Sequence, residues 1–86
     1  VSQKQNRQTY KRRIDERIRW IAQAHGGKVE KGQKLISERE MVIKMGYVRT
    51  TIREAFAVMQ YLEMITCEHG KSKIALVEFD KNWGLE

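Results

Sequence analysis

The chain has no proline, one cysteine and seven aromatic residues among its 86, and no apolar run in it exceeds five residues. Each shortage excludes something. Without proline there is no proline-rich segment, and a single Cys67 rules out an internal disulfide and a cysteine-built zinc centre. Runs of five fall far short of the roughly 20 apolar residues that a bilayer span needs. No signal-type segment opens the chain, so a reducing cytoplasmic setting is expected. Internal repeats and low-complexity tracts are also lacking.

What is present suits one small folded domain: 41% hydrophobic and 33% charged residues, with a net charge of +6. The charge is unevenly spread. Residues 1–28 hold eight Lys/Arg against Asp15 and Glu16, whereas residues 29–86 hold nine groups of each sign. A polyanion is therefore a plausible partner for the front of the chain, although a basic helix also serves as a solvated face.

Residues 1–8, VSQKQNRQ, read as a flexible basic tail. From Thr9, a plausible N-cap, Tyr10, Ile14, Ile18, Ile21, Ala22 and His25 recur at helical spacing until Gly26-Gly27 ends the pattern. Trp20 lies off this stripe and suits packing under a neighbouring element. A polar connector, KVEKGQK, leads to Leu35, the expected apolar plug. Ser37-Glu38-Arg39-Glu40 has the spacing of a capping box, which predicts a short helix carrying Met41, Val42 and Met45 and ending at Gly46.

A third helix follows, with Ile52, Ala55, Phe56, Met59 and Leu62 on one face. Beyond it, Ile65–Glu68 and Lys73–Val77 flank His69-Gly70-Lys71-Ser72 in the manner of a hairpin. Residues 78–86 look like a linker, and their Phe79 and Trp83 suggest a further domain. The expected fold is mostly α with a small β-hairpin: a winged helix-turn-helix of three helices plus a wing over residues 9–77. In that geometry Arg49 and Arg53, four residues apart and opposite Ile52 and Phe56, are free to enter a major groove.

The stretch LISEREMVIKMGYVRTTIREAF resembles the signature of GntR-type bacterial transcription regulators. In that family a Leu-Pro-Ser-Glu-Arg-Glu stretch leads through Leu-Gly-Val-Ser-Arg-Thr-Thr to Val-Arg-Glu-Ala-Leu. The matched positions are Ser37 to Glu40, Gly46, Arg49-Thr50-Thr51 and Arg53-Glu54-Ala55, and the resemblance runs from about Tyr10 to Val77. It implies that Arg39 contacts phosphate or a base edge and that Arg49 and Arg53 approach the groove. Thr50 and Thr51 would bond the DNA backbone, and His69, Gly70 and Lys71 would form the wing tip in an adjacent minor groove. That tip is closer to the histidine-glycine-lysine tip of the fatty-acid-responsive branch than to the commoner Gly-Arg-Gly-Thr tip.

Two positions depart from the pattern. Ile36 stands where the family has proline, and Val48 replaces the serine that caps the recognition helix; Thr51 with Glu54 is a candidate substitute capping box.

The resemblance further implies a palindromic double-stranded DNA operator and a homodimer formed through a C-terminal domain. That domain, joined by residues 78–86, would also bind a small-molecule effector. Lys71 and Lys73 read as phosphate neighbours, with a solvated surface as the plain alternative. Cys67 and His69 lack a second ligand pair, so no metal or other cofactor is expected, and no nucleophile–base arrangement points to an enzyme. Cys67 suits a packed thiol, and the four methionines suit core filling. The alternatives to DNA are a protein-interaction module using the Ile65–Val77 face and an RNA binder using the basic first helix.

Overall fold

The computed structural model describes residues 3–67 and 72–85, with side chains from Tyr10 onward. Three helices, α1 (Gln3–Ala24), α2 (Glu38–Met45) and α3 (Arg49–Tyr61), enclose a core with two short antiparallel strand pairs. Strand β2 (Ile65–Cys67) pairs with β3 (Lys73–Ala75), the expected hairpin, in the register Ile65–Ala75 to Cys67–Lys73. The wing-tip positions His69, Gly70 and Lys71 lie outside the described residues. No helix is long and apolar enough to cross a membrane among the described residues.

Helix α1 starts earlier than its apolar stripe. Thr9 sits within the helix and does not cap it, and the helix takes in residues 3–8, which the polar composition had set apart as a tail. Gln, Lys and Arg are good helix formers, and no glycine or proline between Gln3 and Arg13 breaks the run, so local propensity favours a helical backbone there. Within the helix Ile18, Ile21, Ala22 and Ala24 are fully enclosed, while Tyr10, expected in the stripe, is 58% exposed. Gly26 ends the helix in the left-handed region (φ 84°), and the amides of Gly26 and Gly27 donate to the carbonyls of Gln23 and Ala22.

The stretch expected to be a linker belongs to the fold. β1 (Lys28–Val29) pairs with β4 (Phe79–Asp80), burying Phe79 beside Val29 in the core. Trp83 packs against the same core, and its carbonyl accepts a 2.6 Å hydrogen bond from Arg19 Nη1. Lys28 reaches Glu78 at 3.2 Å, and this hydrogen bond, helped by the charges of Glu30 and Glu78, raises the lysine pKa. The two aromatic side chains hold 78–85 in place despite its polar composition.

Residues 32–35 run antiparallel to β3. The amides of Gly32 and Leu35 donate to the carbonyls of Ala75 and Lys73, and that of Ala75 donates to Gln33. This third ladder attaches the entry of α2 to the hairpin and seats Leu35, the expected plug, in the core.

At the far end of α3, Glu63 takes the left-handed conformation (φ 61°) that glycine takes after α1. The amides of Glu63 and Met64 close the end by donating to Gln60 and Met59. Leu62, expected on the buried face, is 49% exposed because the helix has already ended there. Exchange of Glu63 for glycine relieves the steric penalty of that conformation but loosens the unfolded chain. Glu63→Gly is therefore expected to raise stability by about 0.5–1 kcal/mol in urea unfolding; a loss of stability would contradict this account of the turn.

Candidate nucleic-acid interface

Ser37 and Glu40 form the capping box. The Ser37 hydroxyl accepts from the Glu40 amide at 3.1 Å, and the Glu40 carboxylate accepts from the Ser37 amide at 3.4 Å. Two turns later Gly46 adopts φ 75°, its amide donating to the Val42 carbonyl, and the chain reverses into α3 within three residues. Stacking of Trp20 on Tyr47, with ring centroids 4.3 Å apart, fixes this turn to α1.

Ile36 and Val48 stand at the entries to α2 and α3. Ile36 has the amide that a proline would lack, and it donates to His25 Nε2 at 3.0 Å. His25 Nδ1 lies 2.8 Å from the Ile21 carbonyl, so the tautomer protonated at Nδ1 satisfies both contacts and ties the C-terminal end of α1 to the entry of α2. Val48 is the N-cap of α3 and offers no side-chain bond. The substitute box does not form: α3 begins at Arg49, the Thr51 amide donates to the Val48 carbonyl, and the Glu54 carboxylate pairs with Arg17 at 2.8 Å. The amides of the first turn of α3 thus lack a side-chain cap at the electropositive end of the helix dipole.

Burial of Ile52, Ala55, Phe56 and Met59 turns the opposite side of α3 outward. Arg49 and Arg53 have side chains 64% and 65% exposed, Arg39 and Thr50 are exposed, and Thr51 is half-buried. The arginines are accessible but not free. One Glu38 oxygen lies 3.6 Å from Arg49 Nε and 3.5 Å from Arg53 Nε.

Between the start of α2, the start of α3 and the hairpin lies an open groove of about 600 Å³. It is lined by Lys34, Leu35, Ile36, Ser37, Glu38, Arg39, Arg49, Ser72 and Lys73. Of the described residues that line it, four are basic and one is acidic. Lys73 Nζ lies 4.7 Å from the centre of the Phe56 ring, which anchors that charge to the core.

The groove thus joins Arg39 to Arg49, with Arg53 linked to them through Glu38. Two members escaped the sequence reading. Lys34 passed as part of a polar connector; its place one residue before the plug Leu35 was the available signal. Glu38 passed as a capping-box residue, and its reach to α3 depends on the turn between the two helices. Cys67, expected to be packed, is exposed at the outer end of β2. Among the described residues no cluster of three or more His, Cys, Asp or Glu is placed to hold a metal ion.

The exposed basic residues Lys11, Arg12 and Arg13 are elsewhere. That half of α1 borders the C-terminal half of α3, where Tyr10 and Ile14 meet Ala57, Val58, Tyr61 and Leu62. No family model, curated protein or solved structure matches the chain.

The His25 bridge makes a definite claim about the entry to α2. Replacement by a ring of similar size without an acceptor, His25→Phe, is expected to cost about 1 kcal/mol in denaturant unfolding. The same replacement in an Ile36→Pro background, which has no amide to satisfy, should cost clearly less. Equal costs in the two backgrounds would contradict the bridge.

Proposed function

We propose that this chain is a winged helix-turn-helix domain of the GntR type that reads double-stranded DNA through the N-terminal turn of α3. The observation that carries this reading is the placement of Arg49 and Arg53. They stand exposed on the outer side of α3, beside a groove that also presents Lys34, Arg39 and Lys73. A B-form major groove admits an α-helix, and an arginine fork matches the O6 and N7 acceptors of guanine. Lysines at the rim suit phosphates, which position a protein on the duplex without specifying sequence.

The order of elements supports the same reading. A short capped helix, a three-residue reversal at Gly46, a helix with one apolar face and a following hairpin are the succession of elements that a winged helix-turn-helix has. On this reading the hairpin is the wing, and His69, Gly70 and Lys71 approach the neighbouring minor groove. Thr50 and Thr51 bond the backbone at the uncapped start of α3, where helix amides favour a phosphate. The domain acts as the operator-reading part of a ligand-responsive transcription regulator. It binds a palindromic site as a homodimer, with dimerisation and effector binding supplied by a C-terminal domain.

A gel-shift titration against a duplex enriched from a random pool tests this directly. Arg49→Ala with Arg53→Ala should weaken binding by about 2–6 kcal/mol, from about 1–3 kcal/mol per lost bidentate contact, and flatten the sequence preference. Lys34→Ala should weaken every duplex alike and reduce the magnitude of the slope of log K against log salt by about 0.9. Unchanged affinity and preference in the double variant would refute the reading.

A further inference from the structure

We infer that Glu38 is a positioning residue that sets the sequence selectivity of the DNA-reading surface by holding Arg49 and Arg53 back from phosphates; this rests on the DNA-binding reading above. Glu38 belongs to α2, yet its carboxylate reaches across the turn to α3, where one oxygen lies between the two Nε atoms at 3.6 and 3.5 Å. Its side chain is 21% exposed while both arginines are about two-thirds exposed, so the acid is the inner member of the trio.

Two consequences follow from the chemistry. An arginine engaged at Nε keeps its terminal Nη1 and Nη2 edge available, and that edge forks onto guanine O6 and N7. The second consequence concerns charge. Two guanidinium groups beside one carboxylate amount to one net positive charge instead of two, and a phosphate drawn toward them also meets the anion.

Attraction to the DNA backbone, which is blind to sequence, is therefore reduced. Hydrogen bonding to neutral base edges is not penalised in the same way. Separations of 3.5–3.6 Å make these ion pairs loose enough to yield when a base edge supplies the acceptor. A role limited to the α2 dipole is a poorer account of the geometry: Glu40 already occupies that first turn and completes the cap, whereas Glu38 spends its carboxylate on α3.

The test uses the 86-residue chain and two duplexes: one enriched by the wild-type protein from a random pool, and a shuffled version of it. Glu38→Gln keeps the side-chain shape and removes the charge. It is expected to bind the shuffled duplex about five- to tenfold more tightly near 0.1 M salt, as one additional phosphate contact would give, with a salt slope steeper by about 0.9. The enriched duplex should gain less, so the ratio between the two falls several-fold. Glu38→Asp, which retains the charge, should keep the shuffled-duplex affinity within about twofold of the wild type.

A lower melting temperature for Glu38→Gln with an unaltered ratio would overturn the inference and leave Glu38 a structural residue. A changed base preference at one operator position, with no gain on the shuffled duplex, would overturn it in favour of Glu38 reading a base itself. If Arg49→Ala with Arg53→Ala binds both duplexes as the wild type does, or if the wild type does not bind DNA, the DNA-binding reading itself has failed.

Discussion

The burial of one face of α3 is the constraint on which the arrangement depends. Ile52, Ala55, Phe56 and Met59 repeat at three- and four-residue spacing and lie in the same core as Ile18 and Ile21 of α1. Once that face is fixed, the helical period leaves Arg49 and Arg53 no inward option. Everything nearby then adjusts the position of one helix end: the Gly46 reversal, the Trp20–Tyr47 stack, the Ser37–Glu40 box and the ladder between residues 32–35 and β3. A short helix such as α2 is not stable by itself, and its orientation comes from these attachments.

Charge counted along the chain misplaces the electrostatic surface. The whole net charge of +6 resides in residues 1–28, yet the groove takes its cations from Lys34, Arg39, Arg49 and Lys73, in the part of the chain that sums to zero. Two acids of that part are engaged away from the groove: Glu54 with Arg17, and Glu78 with Lys28. Glu38 is the exception, the one acid among the described residues that lines the groove. Sorting of charge by three-dimensional position, not by segment, is what makes the surface basic.

Features set by contacts within about ten residues were legible in the sequence. The capping box, the left-handed Gly46, the end of α1 at Gly26-Gly27 and the hairpin all depend on local bonds whose residue types are diagnostic. Outward placement of Arg49 and Arg53 was also legible, because helical periodicity is local. What escaped depends on partners distant in the chain. Pairing of β4 with β1 is set by Phe79 entering a core some 50 residues away, and a polar-looking stretch of nine residues conceals it. Exposure of Tyr10 and Leu62 reflects where neighbouring elements stop, which periodicity within a single helix does not encode. Glu38 was hidden by an adequate local explanation, and His25 by the absence of any local cue that Ile36, eleven residues on, would use it.

The proposed function makes the groove and the start of α3 the surface that meets DNA. Backbone amide chemical shifts of the labelled chain, followed during titration with the enriched duplex, report this residue by residue. The largest changes are expected at Lys34, Ser37 to Arg39, Arg49 to Arg53 and Lys73, with the Tyr10–Tyr61 side unaffected. Changes concentrated on Tyr10 to Arg13 and Ala57 to Leu62, with the groove silent, would contradict it.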